Sequence, residues 1–286
     1  MTEIIDMRLR PPLPSWLKTP LFAPGGKSAT WHPDFPRPAS ADTGAIADLL
    51  EEMDAAGVAI GVVMGRQSAG GLGSVPNEEI AGLVRVHPSR FVAWVGIDVG
   101  QPTDAILAEI DRFVGEHGFR GVSIEPSLVP EIGRADDPRL FPVYERCVAL
   151  DLPVSITLSS VLQASERQPV ERAHPAQIYN LALAFPRLAI HVAHAAWPWA
   201  AEMVAIAISC RNVWLSPDQY MLGPIPGSDT YAKAALHYLA DRTLFGTAYP
   251  FKPLAPAVDS YRQWHFPPAI AAAVFAKNAR RLMGGL

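Results

Sequence analysis

The sequence predicts a (β/α)8 TIM barrel, an α/β fold built as a single domain over residues 1–286. Three observations lead there. Short runs rich in Val, Ile and Leu recur eight times, separated mostly by helix-like stretches. Those runs are apolar almost throughout, the mark of parallel strands covered on both faces. A chain of 286 residues, with 49% hydrophobic and 18% charged side chains, also suffices for one large core. An open doubly wound sheet is the competing arrangement, but no Gly-x-Gly-x-x-Gly turn follows any strand.

The first strand is Ile4–Leu9. A long connection follows over residues 11–42, with eight prolines and little helical period. Connections of this length serve as lids, binding loops or oligomer contacts. A helix is predicted over Thr43–Ala56, stopped by Gly57, and then the second strand, Val58–Met64. Helix Asn77–Val86 leads to the third strand, Phe91–Ile97, and Pro102–His117 to the fourth, Gly121–Glu125. Pro138–Leu150 precedes the fifth, Pro153–Leu158, and Pro175–Phe185 the sixth, Leu188–Ala193. Asn212–Ser216 is the seventh, and Thr243–Thr247 the eighth after a helix over Thr230–Ala240. The tail, Pro267–Leu286, reads as one or two short helices that cover the barrel's outer wall or its bottom.

Composition narrows the function classes. A net charge of −4 argues against a broad nucleic-acid surface. No apolar run reaches the length of about 18 residues that a membrane span needs. No basic and apolar leader precedes Ile4, and Cys147 and Cys210 sit in helix-like stretches as small core residues. A reduced, cytoplasmic setting is therefore the expectation.

Chemistry in such barrels collects at the C-terminal strand ends. The first offers Arg8 and Arg10, two residues apart and so predicted to point the same way. Guanidinium groups repel metals and grip carboxylates or phosphates. Arg66 follows the second strand, so three arginines near one mouth point to a small anionic substrate. Each arginine has a structural alternative, a buried salt bridge with Asp6, Asp218 or Glu125. Glu125 closes the fourth strand, as the partner of an arginine or as an acid or base. His194 stands just past the sixth, where a near-neutral pKa suits proton transfer, against the alternative of a loop histidine bonded to backbone. His191 falls on the opposite side by alternation, so the two are not a metal pair. Asp218 could orient His194 or neutralise an arginine. Tyr220 and Tyr249 could line the mouth, with Tyr249 donating to a developing oxyanion, or pack as rim aromatics. Ser68, Ser159 and Ser160 lack a nucleophile-elbow context, so a Ser-His-Asp hydrolase is unsupported.

Four segments together resemble the amidohydrolase-related superfamily, in its aminocarboxymuconate-semialdehyde decarboxylase-like branch. They are Ile5-Asp6-Met7-Arg8-Leu9-Arg10, Leu152-Pro153-Val154-Ser155-Ile156-Thr157, Ala193-His194-Ala195-Ala196-Trp197-Pro198-Trp199 and Leu244-Phe245-Gly246-Thr247-Ala248-Tyr249-Pro250-Phe251. The resemblance implies a barrel hydrolase or nonoxidative decarboxylase acting on small carboxylates, and homo-oligomers. It also implies that the family's metal ligands fall on Arg8, Arg10, His194 and Ala248 and on or beside Thr157, and that only His194 is retained among them. No metal and no cofactor are expected.

The leading expectation is a metal-independent hydrolase of a carboxylate-bearing lactone or ester. Arg8, Arg10, Arg66 and Tyr220 would bind the substrate. His194, Asp218, Tyr249 and Glu125 would carry the chemistry. The alternatives are a decarboxylase using His194 or Glu125 as proton donor, and a non-catalytic barrel that binds an anion.

Overall fold

The computed structural model describes residues 3–23, 36–68 and 72–285. Seven parallel strands follow one another around a single sheet: β1 (Ile4–Asp6), β2 (Val58–Met64), β3 (Phe91–Gly96), β4 (Val122–Ile124), β5 (Val154–Ser159), β6 (Ile190–Trp197) and β7 (Val213–Ser216). Sequential parallel strands with helices between them make a TIM barrel.

The predicted eighth strand is the exception. Residues 243–247 fill its place but pair through one bridge, Leu215 to Thr243. Leu244 N–H donates to Leu215 O at 2.8 Å on one side, and Met7 N–H donates to Phe245 O at 3.0 Å on the other. Leu215 N–H also donates to Arg242 O at 2.9 Å, but the ladder goes no further, because Val274 O takes the Phe245 N–H at 3.0 Å and Asp6 takes Thr247. Its carboxylate accepts from the Thr247 N–H at 3.0 Å and the Thr247 hydroxyl at 2.6 Å.

The long first connection contains two short helices, α1 (Pro14–Leu17) and α2 (Ala39–Thr43). Helices of four and five residues are too short to display a helical period, which is why the pattern missed them. The helix predicted over Thr43–Ala56 begins later, as α3 (Ile46–Ala56), because the chain breaks at Gly44-Ala45. The lid or oligomer contact expected of residues 11–42 falls partly on 24–35, with Trp31, and these lie outside the described residues.

Around the wall run α4 (Asn77–Val86), α5 (Thr103–His117), α6 (Phe141–Ala149), α7 (Ser160–Ser165), α8 (Ala176–Ala184), α9 (Ala200–Ser209), α10 (Ser228–Leu236) and α11 (Leu254–Arg262). Alternate residues of β2 enter different cores. Val63 joins the main cluster between strands and helices, while Val62 and Met64 join a lumen cluster with Ile5, Trp94 and Trp214. The tail, α12 (Pro268–Ala272) and α13 (Asn278–Leu282), closes that lumen from below through Ala279, Leu282 and Met283. Of the two positions predicted for it, the tail takes the bottom. Among the described residues no helix is long and apolar enough to cross a membrane. Cys147 and Cys210 are buried and form no disulfide.

Candidate active site

A cavity of about 330 Å³ opens at the C-terminal ends of the strands. That volume suits one small ligand. Arg10 enters it from beyond β1, Arg66 from beyond β2, His194 from β6, and Gln219 and Tyr220 from the turn after β7. The rest of the wall is largely apolar, with Leu21, Leu72, Val161, Leu162 and Phe251. Sequence reasoning placed Arg10, Arg66, His194 and Tyr220 at the mouth. It missed Gln219 and Ser165, which carry no pattern of their own and come to the cavity only through the turn after β7 and through α7.

Three residues at the end of β6 adopt left-handed backbone, His194 (φ 64°), Ala195 (φ 45°) and Ala196 (φ 55°). Asp218 and Ala248 on the neighbouring strand ends do the same, at φ 53° and 57°. Such conformations cost non-glycine residues about 1 kcal/mol or more and gather where side chains must be aimed. Strand alternation therefore stops before His194. His191 stays inside the sheet, its two ring nitrogens bonded to Ser155 Oγ at 3.0 Å and Ser216 Oγ at 2.7 Å. Burial pushes its pKa down to about 3. His194 instead meets Asp218. Its N–H donates to Asp218 Oδ2 at 3.2 Å, and its Nδ1 lies 3.0 Å from the same oxygen, off the line of a well-formed hydrogen bond.

Burial lowers the His194 pKa to about 4, against the pull of Asp218, with Arg8 and Arg10 adding to the depression. The ring is thus neutral at pH 7. Burial alone would raise the Asp218 pKa, but His194 and Arg8 outweigh it and keep the carboxyl below its usual range. Room for this carboxylate comes from Gly246, where an added Cβ would fall 2.2 Å from Asp218 Oδ1. Gly246→Ala is expected to lose about 1–3 kcal/mol of stability, as overpacked sites do. Urea denaturation reads this, and an unchanged midpoint would contradict the close approach.

The three arginines separate by depth. Past β1 the chain leaves the strand, and Arg8 and Arg10 do not share one role as their spacing suggested. Arg8 lies beneath the cavity; its Nη1 donates to Thr157 Oγ1 at 2.7 Å and its Nε lies 3.8 Å from Asp218 Oδ2. Arg66 Nη2 is 2.5 Å from Glu125 Oε1, while its Nη1 has no hydrogen-bond partner among the described residues. Arg10 donates from Nη1 to Ala248 O at 3.2 Å and Tyr249 O at 3.3 Å, and among the described residues it meets no carboxylate. Trp16 of α1 lies under both Arg10 and Arg66, with the guanidinium carbons 5.9 and 5.8 Å from its ring centroids. Burial, then repulsion from Arg8 and Arg66, draws the Arg10 pKa well below its usual value. A guanidinium keeps its proton nonetheless, so the strained charge emerges as affinity for an anion.

Two expected site residues do not line the cavity. Tyr249 is buried, but its hydroxyl meets Ser40 of α2 and donates to Glu52 Oε2 of α3 at 2.7 Å, away from the cavity. Asp6 and Arg10 hold the backbone after residue 246, and that turns the ring outward. Glu125 is covered by Arg66. Burial would raise its pKa, but Arg66, Arg8 and Arg10 together hold it below the ordinary carboxylate range, so it carries no proton to donate. Tyr220 remains on the cavity wall, stacked on Trp197 at 5.0 Å and edge-on to His194 at 5.6 Å. Burial pushes its pKa up to about 12, which keeps the hydroxyl a donor.

A family model described as amidohydrolase matches residues 5–285. The chain belongs to the amidohydrolase family. An uncharacterised TIM-barrel protein from Bordetella bronchiseptica is 31% identical, with 99% of this chain and 98% of that one covered and a TM-score of 0.88. The 2-amino-3-carboxymuconate-6-semialdehyde decarboxylase of Dictyostelium discoideum is 32% identical over 90 residues, which is 32% of this chain and 24% of that protein. The chain thus spans about a quarter of the length of this curated relative. A dihydroxybenzoic acid decarboxylase from Polaromonas, solved with manganese and 2-nitroresorcinol, shares the fold at 17% identity and TM-score 0.71, with 99% and 97% of the chains covered.

The metal that the amidohydrolase resemblance implies does not fit these residues. Among the described residues no group of three or more His, Cys, Asp or Glu is arranged to hold an ion. The Arg8–Thr157 hydrogen bond joins two of the positions where family ligands would stand, and a cationic side chain fills the space between them. The donor set present favours an anion.

Proposed function

We propose that this amidohydrolase-family protein is a lyase that releases carbon dioxide from a small, unsaturated carboxylate without a metal. The observation that carries this is the placement on one largely apolar cavity of Arg10, a guanidinium with no carboxylate partner among the described residues, and of His194, which Asp218 backs from behind. The names of its relatives support a lyase over a hydrolase, since both the curated relative and the manganese-bound fold neighbour are decarboxylases.

Arg10 holds the carboxylate and so fixes the carbon that bears it. His194 delivers a proton to that carbon. The bond to the carboxyl group then breaks, its electron pair returns to the unsaturated system, and carbon dioxide leaves. The balance is R–CO2⁻ + H⁺ → R–H + CO2. Asp218 steadies the ring while it is charged. In the ligand-free site burial and the arginines keep His194 unprotonated. A bound anion offsets Arg10 and restores proton affinity at the ring.

Hydrolysis asks more of this site. Water would have to be deprotonated without a Lewis acid, by an imidazole whose pKa is about 4. The tyrosine expected to stabilise the oxyanion also points away.

Incubation with hydroxylated aromatic and unsaturated carboxylates in D2O tests the reaction. Carbon dioxide should be released, with deuterium at the vacated carbon, and rates should be unchanged after dialysis against a chelator. Products that have gained water without carbon dioxide, or stoichiometric zinc or manganese in the active protein, would reject the reading.

A further inference from the structure

Among the described residues the charges around the cavity are paired, with one exception. Arg66 has Glu125 at 2.5 Å and Arg8 has Asp218 at 3.8 Å. Asp6, deeper in the barrel, is taken up by Thr247 and by the N–H of Arg8. Among the described residues Arg10 is bonded only through Nη1, to two backbone carbonyls, although it is 95% buried and lines the cavity. No described residue takes up its Nε or Nη2, which a guest can therefore meet. Arg66 has a further nitrogen, Nη1, without a partner among the described residues. Trp16 shields one side of both guanidiniums, and the opposite walls are mostly aliphatic. One carboxylate therefore finds a charge-assisted partner here. Among the described residues a second carboxylate on the same ligand would lie against an aliphatic wall or near Asp218 and Glu125, desolvated and without a cation of its own.

We propose that Arg10 sets the charge of the guest: the cavity takes a monoanion bearing a single carboxylate and rejects a dianion of the same shape. The inference rests on the reading of this cavity as a carboxylate site, and not on the reaction that follows binding. It also makes Glu125 a specificity-determining residue, since removing its charge releases Arg66 and supplies the cation that a second carboxylate lacks.

Calorimetric titration of the full chain at pH 7.5 tests this with a matched set of ligands. These are 3-carbamoylbenzoate (one charge), isophthalate (two charges, nearly the same shape) and isophthalamide (none). 3-Carbamoylbenzoate should bind at least tenfold more tightly than isophthalate. Arg10→Gln should weaken 3-carbamoylbenzoate at least tenfold and leave isophthalamide unchanged. Glu125→Gln should narrow the ratio at least tenfold or reverse it. Should E125Q fail to fold, the parent ratio and the Arg10→Gln titration decide alone. Isophthalate binding as tightly as 3-carbamoylbenzoate overturns the proposal. So does an unchanged ratio in folded Glu125→Gln, or no binding of 3-carbamoylbenzoate, benzoate and acetate alike. Because binding is read without turnover, charge selectivity with no carbon dioxide released would reject only the lyase.

Discussion

Replacing His194 with Asn is expected to lower kcat by about 10²- to 10⁴-fold, the usual contribution of one positioned acid or base. KM for the carboxylate should move little, because the proposed reaction gives the anion to Arg10, which lines the cavity, and not to His194. The pH profile of the parent identifies which way the proton moves. A donor must be protonated, so kcat/KM should fall as pH rises above about 4, the pKa of the ligand-free ring. The kcat limb should hold to a higher pH, because the bound anion raises that pKa. A base gives the mirror image, with both parameters climbing from pH 4 to a plateau. Full turnover by His194→Asn, or the mirror-image profile, would exclude the donor role.

The second large effect concerns stability. Arg8→Met should cost about 3–5 kcal/mol at pH 7.5, because it leaves the buried Asp218 without its guanidinium. The sign of its pH dependence follows from linkage. Without Arg8, folded Asp218 or its neighbour His194 binds a proton more tightly than in the parent. The deficit relative to the parent is therefore largest at high pH and shrinks as pH falls. Paired urea titrations of parent and variant at pH 7.5 and pH 5 measure it. An equal deficit at both pH values would mean that Arg8 acts through packing and not through charge.

The barrel was legible because its strands are apolar runs of a length no helix would have, and Val58–Met64 was predicted to the residue. The eighth strand read equally well and failed, because Asp6 captures Thr247, a contact across 241 residues that no local pattern encodes. In the site, the cavity positions of Arg10, Arg66 and His194 followed from strand ends. Their divergent roles did not. Arg8 and Arg10 differ only in which partner lies within reach, Asp218 and Thr157 for one and two backbone carbonyls for the other. Trp16 reads from the sequence only as a tryptophan that lines the mouth or packs in the core, because its position under two guanidiniums depends on a four-residue helix in a proline-rich loop.

The 2.7 Å contact between Arg8 and Thr157 also has a historical meaning. If an ancestor held a metal between these strands, each now occupies what was a ligand's place, and 149 positions separate them along the chain. A lone mutation of Arg8 back to histidine would strand Asp218 before any ion could bind, while histidine at 157 alone would meet a cationic neighbour. Several simultaneous changes would be needed, and selection rarely supplies them together. On that history the arginine would act as a ratchet: once installed, it would confine the lineage to chemistry that a fixed organic cation can support.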